Sequence, residues 1–226
     1  MNMILLPPMN QKILGRMEPA ASGDTTPTGN APMAGRPGSD GPLVKIAPPE
    51  FDVMLNIIYA SDRNFTGQPI YANAACYLHP AAAEALNRAI DLAAGQNLRL
   101  CIYDGYRPIE AQWALWRHTP DPTFVADPRR GSPHSRGIAV DLTLIDAGSG
   151  QPIDMGGPVD DLTPRGFHGY NGISPEAQKN RMMLLGLMAS AGFDHYLNEW
   201  WHYQLYSPRN YPLLWETAAQ TGLMGD

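Results

Sequence analysis

The 226-residue sequence has only two cysteines, Cys76 and Cys101. Two thiols are too few for a disulfide framework, and no Cys-x-x-Cys spacing is present to hold a metal, so both read as buried free thiols. Long hydrophobic runs are also missing. No stretch approaches the length of a membrane span, and Met3-Ile-Leu-Leu6 is stopped by Pro7-Pro8 well short of a signal-peptide core. These absences lead us to expect a cytoplasmic location and no membrane partner. Positive charge is scarce as well: 16 Lys+Arg stand against 22 Asp+Glu, a formal charge of −6. No basic stripe exists to neutralise phosphates, which argues against a nucleic-acid partner.

What remains suits a globular chain with one substantial core: 44% of residues are hydrophobic and 17% charged. Residues 1–42 are rich in Gly, Pro, Ser, Thr and Ala. Such a segment cannot bury enough apolar area to offset its ordering entropy, so a flexible extension is expected there. One folded domain is expected over residues 43–226, with the boundary near Gly41-Pro42.

Within that domain Val53 to Tyr59 reads as a first strand. Pro80 suits the first position of a helix, Leu86, Ile90 and Ala93 recur at helical spacing, and Gly95 ends it. Leu98 to Tyr103 reads as a short strand that delivers Asp104-Gly-Tyr-Arg-Pro108. A second Pro-initiated helix follows to about His118, with Ile109, Trp113 and Trp116 on one face. The apolar run from Gly137 to Ile145 reads as a buried strand. Residues 146–174 are rich in Gly and Pro without alternation, the pattern of a long loop. Ser174 caps a third helix that starts at Pro175 and ends at Gly192, with Met182, Leu185 and Met188 or Ala189 directed to the core. Tyr196 to Tyr206 is the last strand region. This order predicts an α+β fold with helices packed against a mainly antiparallel sheet.

One stretch carries the chemistry. Ser132-Pro-His-Ser-Arg-Gly-Ile-Ala-Val-Asp141 places an imidazole and a carboxylate seven residues apart, the second on the buried strand. Burying a carboxylate is costly without a partner, and a metal ion is one of the few adequate partners. Far downstream, Glu199-Trp-Trp-His202 adds a second imidazole. His134, Asp141 and His202 are thus candidate ligands for one metal ion with an open position, the arrangement a catalytic zinc needs. Glu199 is left over as a general base. Strict alternation would put Glu199 and His202 on opposite strand faces, so a bulge or tight turn is expected between them. By position alone, Arg107 is as well read as a surface ion-pair partner as an oxyanion stabiliser. His79, His118, His168 and His195 lack ligand partners at a recognisable spacing and read as structural or surface residues.

The pattern Ser-x-His-x-x-Gly-x-Ala-x-Asp followed by Glu-x-Trp-His resembles the signature of the zinc D-alanyl-D-alanine peptidases, whose fold is shared with the hedgehog signalling domain. Within that group the chain is most similar to the D-alanyl-D-alanine dipeptidases of the vancomycin-resistance type, over roughly residues 50 to 210. The resemblance implies one Zn2+ per chain on His134, Asp141 and His202, with Glu199 and Arg107 catalytic. It also implies that Asp160 and Ser132 bind the amino end of a small dipeptide substrate. Two alternatives belong beside the dipeptidase. One is a D,D-carboxypeptidase or L-alanyl-D-glutamate endopeptidase acting on peptidoglycan. The other is a non-catalytic, zinc-stabilised binding domain, which would require neither Glu199 nor Arg107.

Overall fold

The structure, a computed structural model, describes residues 43–225; the expected extension over residues 1–42 lies outside the described residues. The elements run β1 (Val44–Ile46), β2 (Val53–Leu55), β3 (Cys76–Leu78), α1 (Pro80–Ala94), β4 (Leu98–Asp104), α2 (Ile109–His118), β5 (Ala139–Asp146), α3 (Pro175–Ala191), β6 (Asp194–His195), β7 (His202–Gln204) and α4 (Glu216–Ala219). The main sheet has the order β2-β4-β5-β7-β6. Only β2 and β4 run parallel; every other pairing in it is antiparallel. A separate antiparallel ribbon joins β1 to β3. The fold is α+β, as the sequence predicts.

Strand β5 is the central member, and its residues Ala139 to Ile145 are all buried. That explains its unbroken apolar character. Covered on both faces, it has no solvent side to alternate towards. Helix α1 packs against β4 and against α3, turning inward the face that carries Ala82, Ala85, Leu86, Ala89 and Ala93. His79 caps it by accepting the Ala81 N–H through Nδ1 (3.2 Å), and Pro80 starts it. Ser174 caps α3 in the same way, accepting from Ala177 N–H (3.0 Å). Gly192, at φ +102°, ends that helix in a conformation only glycine takes cheaply. No helix among the described residues is long and apolar enough to cross a membrane.

The fold adds β1, β3, β6 and α4, which the sequence reading did not name, and departs from it in three further places. The strand expected from Val53 is β2; it stops at Leu55, and Ile58–Ala60 form a 3-10 turn that buries Ile58 and Tyr59. On α2 the buried positions are Ile109, Ala111, Gln112 and Leu115; Trp113 and Trp116 are only partly covered. A polar side chain at Gln112 had hidden the true inward stripe. On α3, Met182 is half exposed and Ala189 exposed, whereas Asn180, Arg181, Leu184 and Met188 are buried. The inward face of α3 carries a guanidinium and an amide because both serve the long loop. Arg181 donates to the carbonyls of Met155 (2.7 Å) and Phe167 (3.0 Å), and Asn180 to that of Asp154 (2.9 Å). These bonds tie the loop of residues 147–174 to α3.

Candidate active site

Three neighbouring strands deliver the site in one row. Asp104 on β4 stands opposite Asp141 on β5, and Asp141 stands opposite His202 on β7. Chain segment 196–201 turns tightly between β6 and β7, with the Glu199 N–H bonded to Tyr196 O (3.2 Å) and the His202 N–H to Glu199 O (3.2 Å). This is the turn expected between Glu199 and His202, and it brings both side chains to one side. His134 comes from the 3-10 turn His134–Arg136, closed by Gly137 at φ +67°.

His134, Asp141 and His202 are all buried and form the candidate metal group among the described residues. His134 Nε2 lies 3.1 Å from His202 Nδ1 and 3.3 Å from Asp141 Oδ2, and His202 Nδ1 lies 3.0 Å from Asp141 Oδ1. Donors about 2.1 Å from a tetrahedral ion stand about 3.4 Å apart, so the triangle fits zinc closely. The outer contacts fix the tautomers. His134 Nδ1 faces the carbonyl of Gly105 (2.8 Å) and must donate to it. His202 Nε2 faces Gln204 Oε1 (3.1 Å) and donates there. In the neutral rings, the lone pairs of His134 Nε2 and His202 Nδ1 therefore point at each other and at a carboxylate. Three electron-pair donors so placed call for a cation between them, and such outer partners set ring orientation and ligand basicity. Gly105 is required where it stands. A Cβ there would meet Cys76 Sγ at 2.7 Å and Tyr77 O at 2.9 Å.

Burial opposes charge on Asp141, yet the two imidazoles hold its carboxyl far below the usual range. Burial likewise opposes charge on His202, and the hydrogen bond and charge of Asp141 outweigh it, raising the imidazole above its ordinary value. Glu199 is buried with its Oε2 3.9 Å from His202 Nδ1. Burial pushes its carboxyl up to about 8.

Arg107 is buried, so it is not a surface residue. Its Nε and Nη2 reach Asp104 Oδ2 (2.9 and 2.8 Å), its Nη1 reaches Gln112 Oε1 (3.1 Å), and its Nη2 lies 3.5 Å from Asp141 Oδ2. The guanidinium sits over the Tyr59 ring at 4.8 Å. Tyr71 completes the group by donating to Asp104 Oδ1 (2.8 Å). Tyr59, in turn, donates to Asp160 Oδ1 (3.2 Å).

Asp160 and its neighbour Asp161 part company. Asp161 turns to Thr163 Oγ1 (2.7 Å) and to Arg165. Asp160, in the left-handed region at φ +59°, turns into the cavity with its Oδ2 buried and unpartnered. Burial, then the nearby charge of Asp141, push its carboxyl up to about 7. Ser132 is buried beside them, and its Oγ accepts the His134 N–H (3.2 Å). All seven expected residues line a single cavity of about 340 Å³. Phe65, Phe124, Val125, Leu162 and Tyr196 make its apolar wall.

The sequence reading assigned no role to Asp104, Gln112, Tyr59 or Gln204. Two of these had a usable signal: Asp104 stands three residues before Arg107, and Gln204 lies two after His202, on the same strand face. Gln112 and Tyr59 had none, because a helix interior and a 3-10 turn aim them.

A family model described as D-ala-D-ala dipeptidase matches residues 42–213. Curated relatives agree. A D-alanyl-D-alanine dipeptidase of Escherichia coli (strain K12) is 43% identical over 163 residues, covering 72% of this chain and 84% of that protein. One from Enterococcus faecium is 37% identical over 170 residues, covering 65% and 83%, and one from Streptomyces coelicolor is 35% identical over 167 residues, covering 65% and 83%. With a match across most of its length and a relative this similar, the chain belongs to the D-alanyl-D-alanine dipeptidase family.

Proposed function

We propose that this protein is a zinc metallopeptidase that hydrolyses D-alanyl-D-alanine or a similar small dipeptide. One observation carries the reading: a three-donor metal triangle, a buried carboxyl near neutrality and an unpartnered carboxylate oxygen share one cavity. His134, Asp141 and His202 would hold the zinc. When bound, the ion supplies Lewis-acid chemistry, acidifying water and polarising a carbonyl.

The chain's own groups do the rest. Glu199, lining the cavity with its Oε2 3.9 Å from His202 Nδ1, is placed to take the proton of the attacking water and return it to the leaving amine. Arg107 lies along the cavity beside Asp141, held by Asp104 and Gln112 and backed by Tyr59. A guanidinium fixed in advance stabilises charge that develops on the carbonyl oxygen without reorganising. Asp160 Oδ2 is the partner for the substrate ammonium, with the Ser132 hydroxyl beside the same end. Phe124 and Leu162 line the same cavity, and apolar walls that exclude water strengthen each of these interactions.

The test is hydrolysis by the purified, zinc-loaded protein of a panel of D,D- and L,D-dipeptides, with N-acetylated and tripeptide controls. Cleavage of free D,D-dipeptides alone is expected. Equal cleavage of the N-acetylated and tripeptide substrates would replace the dipeptidase by a D,D-carboxypeptidase.

A further inference from the structure

Beyond residue 213, where the family match ends, the chain returns to the domain, and three of its contacts fall one residue from a member of the site. The Leu214 N–H donates to the carbonyl of Ser135 (2.8 Å), next to His134. The Tyr106 hydroxyl donates to the carbonyl of Leu214 (3.0 Å), and Tyr106 precedes Arg107. The Ala72 N–H donates to the carbonyl of Leu223 (2.7 Å), next to Tyr71, the donor to Asp104.

The segment is anchored at both ends. Leu223 is fully buried, and the Tyr77 hydroxyl donates to the carbonyl of Thr221 (3.1 Å). The Glu216 carboxylate accepts from Thr221 Oγ1 (2.7 Å) and the Gly222 N–H (2.5 Å), which closes the segment on itself. The Glu216 N–H donates to the Glu110 carboxylate (3.2 Å), on the helix that follows Arg107.

Two of these bonds join a third to make a ring. The Arg107 N–H already donates to the carbonyl of His134 (3.1 Å). Leu214 spans the other side, accepting from Tyr106 and donating to Ser135. The ring thus closes through the two peptide units that carry Arg107 and His134. We infer that residues 214–225 are a clasp that fixes His134 and Arg107 relative to each other, with Tyr106 as the positioning residue that links clasp to site. This deepens the zinc-peptidase reading and rests on it. His134 is held on its own turn by Ser132 Oγ, the Gly105 carbonyl and the Arg107 N–H, and the carbonyl next to it is where the clasp adds to that hold. A segment that merely covered apolar surface would have no reason to bond at Ser135, Tyr106 and Ala72, each next to a member of the site.

Two variants of the full protein test the clasp: Tyr106→Phe, which removes one hydrogen bond and no volume, and a chain ended at Leu213. For each, zinc loss to a competing chelator, kcat, KM and Tm are measured against the full chain. Truncation is expected to weaken zinc retention or kcat by about 10- to 100-fold, the range of outer-shell metal partners, and Tyr106→Phe by about tenfold. KM should stay near that of the full chain. Full zinc retention and full kcat in both variants, with only Tm lowered, overturns the clasp. If the truncated chain does not fold, Tyr106→Phe decides alone, and unchanged zinc loss and kcat in it overturn the inference. A full chain that neither retains zinc nor cleaves dipeptides defeats the zinc-peptidase reading, and the clasp falls with it.

Discussion

Asp104 stands opposite Asp141 in the β4–β5 ladder, and a register shift after Ile102 puts it there. Two buried carboxylates side by side repel each other, and burial raises Asp104 above the ordinary carboxylate range. Arg107 answers both, with two contacts to Asp104 and one to Asp141. The bulge therefore sets the aim of the guanidinium.

Asp104→Asn keeps the shape and removes the charge that holds Arg107. Breaking a buried pair by removing one partner costs about 3 kcal/mol or more. Asp141 remains nearby, so the loss should fall at the low end of that range. Denaturant unfolding measures it, and kcat should drop about 10- to 100-fold because the guanidinium is no longer fixed. Wild-type kcat in this variant would mean that Gln112 and Tyr59 suffice to hold Arg107.

Zinc binding and turnover should separate at two positions on the same hairpin. Gln204→Met removes the acceptor of the His202 Nε2–H, freeing the ring to turn or change tautomer. Zinc affinity should fall about 10- to 100-fold, measured by chelator competition. Glu199→Gln leaves the three ligands intact, so zinc should stay bound while kcat falls about 100- to 10,000-fold for want of a base. Near-normal turnover in Glu199→Gln would remove Glu199 from the chemistry and place the base elsewhere; no turnover in the parent itself would return the site to the non-catalytic binding domain.

The metal triangle was legible in the sequence because its spacing rules are local. Asp141 sits in an apolar run too continuous to be anything but an interior strand, and Glu199 and His202 are three residues apart. The supporting groups were hidden because tertiary packing makes them adjacent. Tyr59 meets Asp160 across 101 positions, and Tyr71 meets Asp104 across 33. On α3 the hydrophobic pattern itself misled, since Asn180 and Arg181 occupy inward positions to pin the loop while Met182 faces outward. The clasp offered no motif at all; its bonds are two backbone pairs and single contacts from side chains scattered along the sequence, such as Tyr77, Tyr106 and Glu110.

His168, a structural or surface residue by sequence, has a place that gives it a pH signature. It is buried with both ring nitrogens unbonded, stacked edge-on to His195 (5.1 Å) and Tyr203 (6.2 Å), with Arg181 adding positive charge. Burial pushes its imidazole down to about 4. The folded ring is thus neutral where the unfolded one takes up a proton. The stability it contributes is full above about 6.5 and is lost as pH falls from there to about 4. Asp160 and Glu199, raised by burial, act in the opposite sense, so parent and variant must be compared at each pH. His168→Phe should narrow its stability gap to the parent, or reverse it, between pH 6.5 and 4 in denaturant unfolding. A gap that does not change with pH would mean that the ring is hydrogen-bonded or solvated.

The sharpest prediction concerns how the site tells a dipeptide from a longer chain. A dipeptide brings its ammonium one residue from the scissile bond, into a space lined by Asp160, Ser132 and Glu199. A buried ammonium without a counter-charge is prohibitive, and Asp160 Oδ2 is buried with no partner of its own. The free carboxyl rests near 7, so it is only partly ionised until a cation arrives. Tyr59 fixes the other oxygen, so the carboxylate cannot swing away from the cavity. Asp160→Asn preserves the Tyr59 bond and the volume and deletes the charge. Removing a charged hydrogen bond worth a few kcal/mol should lower kcat/KM for free dipeptides by about tenfold to a thousandfold. N-acetylated dipeptides, already without the ammonium, should be poor substrates of the parent and no worse for the variant. Measuring kcat/KM for both substrates in both proteins closes the cycle. An equal loss on the two substrates would show that Asp160 shapes the loop and does not read the amino terminus.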